Sequence, residues 1–120
     1  MLLPVGKNRI RWKKNKDLEF TVIAEDKLPE ELLTMIEEKK EKSFKMTFQD
    51  KGYIYICIGY GQQETAGYSI SVNALYETSN AVYIDTNLIG PGPEEKGKNA
   101  PTYPYVVVKT ENVEKPVVFD

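Results

Sequence analysis

The alternation of apolar and polar residues predicts a chain built mainly of β-strands. Segment 53–58 is apolar on both faces, with three isoleucines on one face and Tyr53, Tyr55 and Cys57 on the other. A strand of this kind is usually covered on both sides, so we expect it in the middle of a sheet. Four more segments alternate with one apolar face, as half-buried strands do. They are 18–24, 43–48, 68–76 and 82–88. Segments 103–109 and 113–119, each of which contains a proline, are predicted as two further strands, which gives about seven strands in total.

One α-helix is predicted near residues 29–42. Pro29 would occupy its first turn, followed by the acids Glu30 and Glu31. Proline is favoured at the start of a helix, and carboxylates there complement the helix dipole. An apolar patch then recurs at helical spacing. Its members are Leu32, Leu33, Met35 and Ile36.

The connections between these elements predict the fold class. Turn residues at 50–52 and 77–80 would close two β-hairpins. Short turns favour antiparallel pairing, so we expect an α+β fold that is mainly antiparallel β, a sandwich or partly open barrel with the helix at one side. Residues 1–120 are expected to form a single domain. The exception among the turns is the proline-rich and glycine-rich loop 90–102, and loops of this length are often functional or mobile.

Composition and charge exclude several classes of function. The net charge is −2 and the pI is about 5.3, so the chain as a whole does not favour nucleic acid. Basic residues cluster at 7–16 around Trp12, the sole tryptophan. This segment is either a binding arm or an edge strand with Trp12 packed on the core. No apolar run is long enough to span a membrane, so we expect no membrane insertion.

The residues that most often carry catalysis or bind metals are scarce. The chain has no histidine, which excludes Ser-His and Cys-His catalysis and the commonest zinc ligand. Cys57 is the only cysteine and lies in an apolar strand, as expected of a buried, inert thiol. The acids lack the spacing of a metal site. We therefore expect no enzymatic activity, no cofactor and no metal ion.

A glycine-rich loop between two strands is the strongest candidate for a functional site. It begins with Gly-Tyr-Gly at 59–61 but leads into a strand, whereas nucleotide-binding glycine loops lead into a helix. Glycine there would let the loop approach a partner closely, and we expect loop 90–102 to lie beside it. The residues predicted to bind a partner are Gly59, Tyr60, Gly61, Thr65, Gly67, Tyr68, Pro91, Gly92 and Pro93.

Several blocks in this order resemble the C-terminal domain of the PrcB family of protease-complex subunits, over residues 28–109. They are Leu28 to Leu32, Ile56 to Gly59, Thr65 to Ile70, Pro91 to Pro93, and Tyr103 to Val108. The third block reads Thr-Ala-Gly-Tyr-Ser-Ile where the family has Thr-Gly-Gly-Tyr. Ala66 therefore replaces a glycine, and a loop that needs a left-handed residue there must differ locally.

The resemblance implies a non-catalytic protein-binding module that associates with a protease and stabilises or regulates its complex. Within it, Gly67 would set the backbone geometry, Tyr68 would anchor packing or contact, and Thr65 would hydrogen-bond within the turn. The loop is also similar, over a few residues, to loops of immunoglobulin-fold protease inhibitors of the chagasin type. That likeness implies an inhibitor as an alternative.

Other functions remain open on the residues alone. The eight tyrosines are compatible with a small-ligand or carbohydrate-binding β domain, and an exposed edge strand is compatible with homo-oligomers. If Met1 is the native start, we expect a cytoplasmic protein. If a leader is missing, we expect an extracytoplasmic or cell-surface location.

Overall fold

The structure, a computed structural model, describes residues 2–4, 10–12, 16–94 and 99–120, the first two ranges as backbone only. The basic segment 7–16 therefore lies mostly outside the described residues, as does the middle of loop 90–102. The elements, in chain order, are β1 (Leu2–Pro4), β2 (Ile10–Trp12), β3 (Lys16–Asp17), β4 (Phe20–Val22), a 3-10 turn (Glu25–Lys27), α1 (Glu30–Lys39), β5 (Ser43–Asp50), β6 (Tyr53–Tyr60), β7 (Ser69–Glu77), β8 (Val82–Ile89), β9 (Tyr105–Glu111) and β10 (Val117–Phe119).

Strands β3 to β10 form two four-stranded sheets, which confirms the predicted α+β fold with a mainly antiparallel, sandwich-like arrangement. Sheet 1 has the order β10-β8-β7-β3, and sheet 2 has the order β4-β9-β6-β5. The sheets are not closed into a barrel. Among the described residues, β1 and β2 pair only with each other, as a separate two-stranded sheet. The two predicted hairpins are present as β5–β6 and β7–β8.

The space between the two sheets holds the larger hydrophobic core. The isoleucines of β6 contribute one face of that strand, with Ile56 fully buried, and they meet Leu75 and Ile84 from sheet 1. β6 lies between β5 and β9, so the predicted central position is confirmed. Buried Val106 and Val108 of β9 extend the same layer.

A second core lies between sheet 2 and the helix. It uses the other face of β6, where Tyr55 and Cys57 contact Leu32 and Ile36 of α1. These two helix residues are four apart and fully buried, as the apolar patch predicts. Helix α1 spans ten residues from Glu30, with Pro29 at the N-cap, and is shorter than the predicted range. Sheet 2 is therefore covered on both faces.

The predicted strand 18–24 is wrong in two respects. Strand β3 pairs with β7 in sheet 1. The chain then crosses to sheet 2 at Leu18 and Glu19, where β4 pairs with β9. Of its apolar residues, Leu18 is buried between the sheets and Ile23 packs on the helix side of sheet 2, whereas Phe20 is 39% exposed and Val22 56% exposed. The alternating pattern predicted a single strand with one buried face, but it carries no signal for a change of sheet.

Two smaller departures concern sheet 1. A register shift between Val72 and Ala74 marks a β-bulge, after which alternation resumes on the opposite face. Leu75 is therefore buried, and Tyr76 stacks on Tyr83 with their ring centroids 5.4 Å apart. Unbroken alternation through segment 68–76 would instead place Ala74 and Tyr76 on the same face as Ile70. In addition, β10 pairs with β8 in parallel, so short turns do not make every pair antiparallel.

An ion pair fixes the loop before β10 to the end of β7. Lys115 Nζ donates to Glu77 Oε2 at 3.0 Å and to the Thr78 carbonyl at 2.8 Å, and Lys16 Nζ lies 3.7 Å from Glu77 Oε1. The hydrogen bond from Lys115 lowers the pKa of Glu77 below its ordinary value of 4.5. The ion pair therefore stabilises the fold while Glu77 is ionised.

We expect Lys115→Met to lower the free energy of unfolding by about 1 kcal/mol near neutral pH. A carboxyl group with a lowered pKa in the folded state stabilises the protein above its ordinary pKa of 4.5 and loses that effect as the pH falls through the folded value. Urea titrations over this range should show the difference from wild type shrink in acid to the part that comes from the lost hydrogen bond to the Thr78 carbonyl. The exposed Lys42→Met is the control, with little effect at any pH. A difference for Lys115→Met that does not change between neutral pH and acid would contradict a contribution from the ion pair with Glu77.

Candidate functional site

The predicted site residues lie at the end of the molecule where β6 ends and β7 begins. Loop 61–68 joins these two strands and so passes from sheet 2 to sheet 1. Loop 90–104 begins at the end of β8, and this end of β8 pairs with the start of β7. The loop ends at the start of β9, which pairs with the end of β6. The two loops therefore share one end of the sandwich, as predicted. We call this the loop end, comprising residues 59–68, 90–94 and 99–104.

The glycines at the start of the first loop allow close packing. A Cβ on Gly59 would overlap the ring of Phe44, which lies opposite it on β5. Gly61 has a φ of +76°, and a Cβ there would lie 3.0 Å from the backbone nitrogen of Ser43. Both glycines are buried. Their role in this structure is to position the loop on β5, and their small surface is not available to a partner.

Hydrogen bonds tie the first loop to the end of the second. Gln63 and Thr102 exchange backbone hydrogen bonds of 2.8 and 3.0 Å, and Thr102 Oγ1 donates to the Thr65 carbonyl at 2.7 Å. Thr65, which we expected to bond within its own turn, is thus connected to a residue 37 positions away and is itself buried. The first loop is therefore held rigidly by the second.

The outer part of the first loop is formed by Gly67 and Tyr68. Gly67 is exposed and has a φ of +94°, so it sets the backbone geometry as predicted. Ala66 is not among the residues with positive φ, which means that the loop meets its need for a left-handed residue at position 67. The half-buried ring of Tyr68 lies 3.5 Å from the position of a Cβ on Gly90, so it packs on the start of the second loop.

The remaining predicted residues differ in accessibility. Pro91 and Gly92 are half-buried, and Pro93 is exposed. Tyr60 points between the sheets, where its hydroxyl lies 2.6 Å from Thr86 Oγ1. Of the predicted residues, Gly67 and Pro93 are therefore exposed at the loop end, with Tyr68, Pro91 and Gly92 half-buried beside them. Gly59, Tyr60, Gly61 and Thr65 support that surface from behind.

A groove that the sequence does not predict lies near the start of β9. This groove has a volume of about 360 Å³ and is lined by residues 22–25 and 103–107. The hydroxyl of Tyr105 is buried beside it without a hydrogen-bond partner among the described residues. Burial, with Glu25 and Glu37 nearby, raises the pKa of Tyr105 to about 12. No signal in the sequence could have located this groove, because it forms where β4 leaves the sheet.

The tyrosines do not converge on one aromatic pocket. Tyr76 and Tyr83 stack on the outer face of sheet 1, whereas Lys109 lies over the ring of Tyr53 at 4.3 Å on the helix side of sheet 2. Tyr60 lies between the sheets, and Tyr68 lies at the loop end. Their distribution is that of side chains packing separately on different faces.

Cys57 is fully buried beneath the helix, and its burial raises the pKa of the thiol to about 12. We expect no reaction with a disulfide reagent such as dithionitrobenzoate in the folded protein near neutral pH, because the reactive thiolate is absent and inaccessible. In concentrated guanidinium chloride one thiol per chain should react. Rapid reaction of the folded protein would show that helix α1 opens readily from sheet 2.

The described residues contain no group of three or more His, Cys, Asp or Glu side chains placed to hold a metal ion. Within the same residues, no helix is long and apolar enough to cross a membrane.

Comparison with known families identifies the segment that contains the loop end. Residues 54–111 match the family model described as PrcB C-terminal. This segment belongs to the PrcB C-terminal family. The finding confirms the resemblance noted in the sequence, with the difference that the match begins inside β6 and leaves out helix α1 and β5. Comparisons with curated proteins and with solved structures gave no match.

The PrcB C-terminal segment contains all nine residues predicted to bind a partner. It runs from the central strand β6 through both loops of the loop end to the last residue of β9. The family therefore supports a role associated with a protease complex.

Proposed function

We propose that this chain is a non-catalytic protein-binding module of a protease complex and that the loop end contacts the partner. The observation that carries the proposal is the PrcB C-terminal match at residues 54–111, which includes both loops. The resemblance to the PrcB family implies a non-catalytic subunit that binds and stabilises a protease.

The geometry of the loop end supports this proposal. The hydrogen bonds between Gln63, Thr65 and Thr102 hold the first loop in place before any partner binds. A rigid loop loses little conformational entropy on binding, which favours affinity. Tyr68 offers an aromatic ring at the surface, and tyrosine is among the residues that contribute most to protein interfaces. Gly67 allows a partner's backbone to approach this ring closely.

The chain provides a matched control for a test of this site. The dipeptide Gly-Tyr occurs at positions 67–68 and again at 52–53. Both glycines have positive φ, +94° for Gly67 and +84° for Gly52. Gly52 lies in the turn between β5 and β6, at the opposite end of β6 from the loop end. The double variants Gly67→Val, Tyr68→Ala and Gly52→Val, Tyr53→Ala therefore make the same chemical change at opposite ends of the molecule.

Wild type and both variants would be used to capture partners from lysate and culture medium of the source organism, after circular dichroism has shown that each is folded. We expect a protease, identified by mass spectrometry, with wild type and with the 52–53 variant. Capture by the 67–68 variant should fall roughly tenfold or more, since truncation of an interface hot spot costs about 2 kcal/mol. Equal capture by all three proteins would remove the loop end as the site. Absence of a protease from every capture would overturn the proposed function.

A further inference from the structure

Within the part of the chain that the structure describes, one edge of sheet 1 is open over most of its length. β7 spans nine residues, but β3 pairs with it only at Tyr76 and Glu77. One more backbone hydrogen bond, 2.9 Å from Leu18 N to the Leu75 carbonyl, follows before the chain crosses to sheet 2. Among the described residues, no strand pairs with β7 on this side between Ser69 and Asn73. We call this stretch of backbone the open edge.

Exposed apolar side chains lie next to the open edge on the facing sheet. Phe20 and Val22 of β4 pair with Thr110 and Val108, both of which are buried between the sheets. Residues paired across two strands project from the same face, so Phe20 and Val22 point towards sheet 1. They are nevertheless 39% and 56% exposed, because β3 ends before it would cover them.

We propose that the open edge binds an extended segment of a partner protein, which pairs with β7 as an added strand. The backbone of Ser69–Asn73 would supply hydrogen bonds, and every second side chain of the segment would pack on Phe20 and Val22. This is strand addition, in which backbone pairing gives affinity and alternate side chains give specificity. The segment that fits has apolar residues at alternating positions.

The small area of the open edge favours a single peptide segment over a second copy of this chain. A complete aromatic side chain presents about 200 Å², so the exposed parts of Phe20 and Val22 amount to on the order of 150 Å² of apolar surface. A stable interface between folded proteins buries roughly 800 Å² on each partner. The open edge provides much less, and the chain's own β3 already shows that this position accepts one strand.

The open edge also adjoins the loop end. Ser69 directly follows Tyr68, so a partner that contacts the loop end would hold a neighbouring segment beside β7. In this respect the inference rests on the proposed function, since it names the chemistry of a segment of the same partner. Its test uses peptides alone, so that its failure leaves the capture of a protease by the loop end unaffected.

The probe is a displayed library of short linear peptides, selected against the wild-type chain. The test variant is Val22→Lys, which places a charge on β4, next to the open edge of β7. The control is Val118→Lys, since Val118 is also exposed, at 38%, on the separate edge strand β10. We expect selected peptides with alternating apolar residues, bound at least tenfold more weakly by Val22→Lys and normally by Val118→Lys. Methylation of alternate backbone nitrogens in the peptide should weaken binding similarly, because it removes the paired donors.

Amide hydrogen exchange measured by NMR locates the bound peptide. In the free protein, some amides in Ser69–Asn73 should exchange rapidly, and the peptide should slow them. Four results would overturn the proposal: no enrichment of alternating apolar peptides, equal binding to Val22→Lys, protection of every amide in Ser69–Asn73 before peptide is added, or a wild-type dimer in sedimentation that Val22→Lys dissociates. The third result would mean that another part of this chain fills the edge, and the fourth that a second copy does.

Discussion

Ile56→Ala is expected to lower the free energy of unfolding by about 3–4 kcal/mol. Ile56 is fully buried in the central strand β6 and packs in the core between the sheets. Its truncation removes apolar contacts and leaves a cavity that rigid strands on both sides cannot fill by collapse. Because a domain of this size is stable by only about 5–15 kcal/mol, the loss should be a large share of the total.

Urea denaturation followed by circular dichroism measures this loss. Thr47→Ala is the matched control, because Thr47 pairs with Ile56 on the neighbouring strand β5 but is exposed. We expect it to change stability by less than about 0.5 kcal/mol. An Ile56→Ala variant as stable as Thr47→Ala would show that the core between the sheets is loosely packed.

Gly59→Ala is expected to cost about 2–3 kcal/mol, although alanine is the smallest possible addition. Gly59 has no unusual φ, so the cost comes from its surroundings: the new Cβ would overlap the ring of Phe44. The ring packs against the core under helix α1 and must be displaced from it. Gly90→Ala is a control, because its Cβ would lie 3.5 Å from Tyr68 at an ordinary contact distance.

A double-mutant cycle identifies the cause of this effect. In a Phe44→Ala background the ring is absent, and Gly59→Ala should then cost less than about 1 kcal/mol. Denaturation midpoints of the four proteins give the coupling energy. The same cost in both backgrounds would mean that Gly59 is needed for a reason other than space for Phe44.

The sequence correctly predicted those features for which the residues of a single element are sufficient evidence. Segment 53–58 has two apolar faces, and this property is sufficient to require a cover on each side, which the structure supplies with sheet 1 and helix α1. Gly67 was correctly predicted to set the loop geometry, because a left-handed φ is a local demand.

The features that the sequence could not predict depend on distant partners. The alternation through Leu18, Phe20 and Val22 is the same whether the strand stays in one sheet or crosses to another, so the exposure of Phe20 and Val22 was missed. At the candidate site, the hydrogen bond between Thr102 and Thr65 joins residues 37 positions apart and leaves no local pattern. The parallel pairing of β10 similarly depends on where the preceding loop delivers the strand.

The strand order of sheet 2 has a consequence for synthesis of the chain. β5 and β6 can pair as a hairpin as soon as both have left the ribosome, but the other neighbour of β6 is β9, which ends at Glu111. β4 also cannot pair in sheet 2 before β9 is present. Thr110 Oγ1 of β9 donates a hydrogen bond to the carbonyl of Glu19, 91 residues earlier. The most apolar strand is thus half-paired until β9 has also left the ribosome. During that interval its free edge is open to aggregation, and a chaperone that shields this edge would protect the nascent chain.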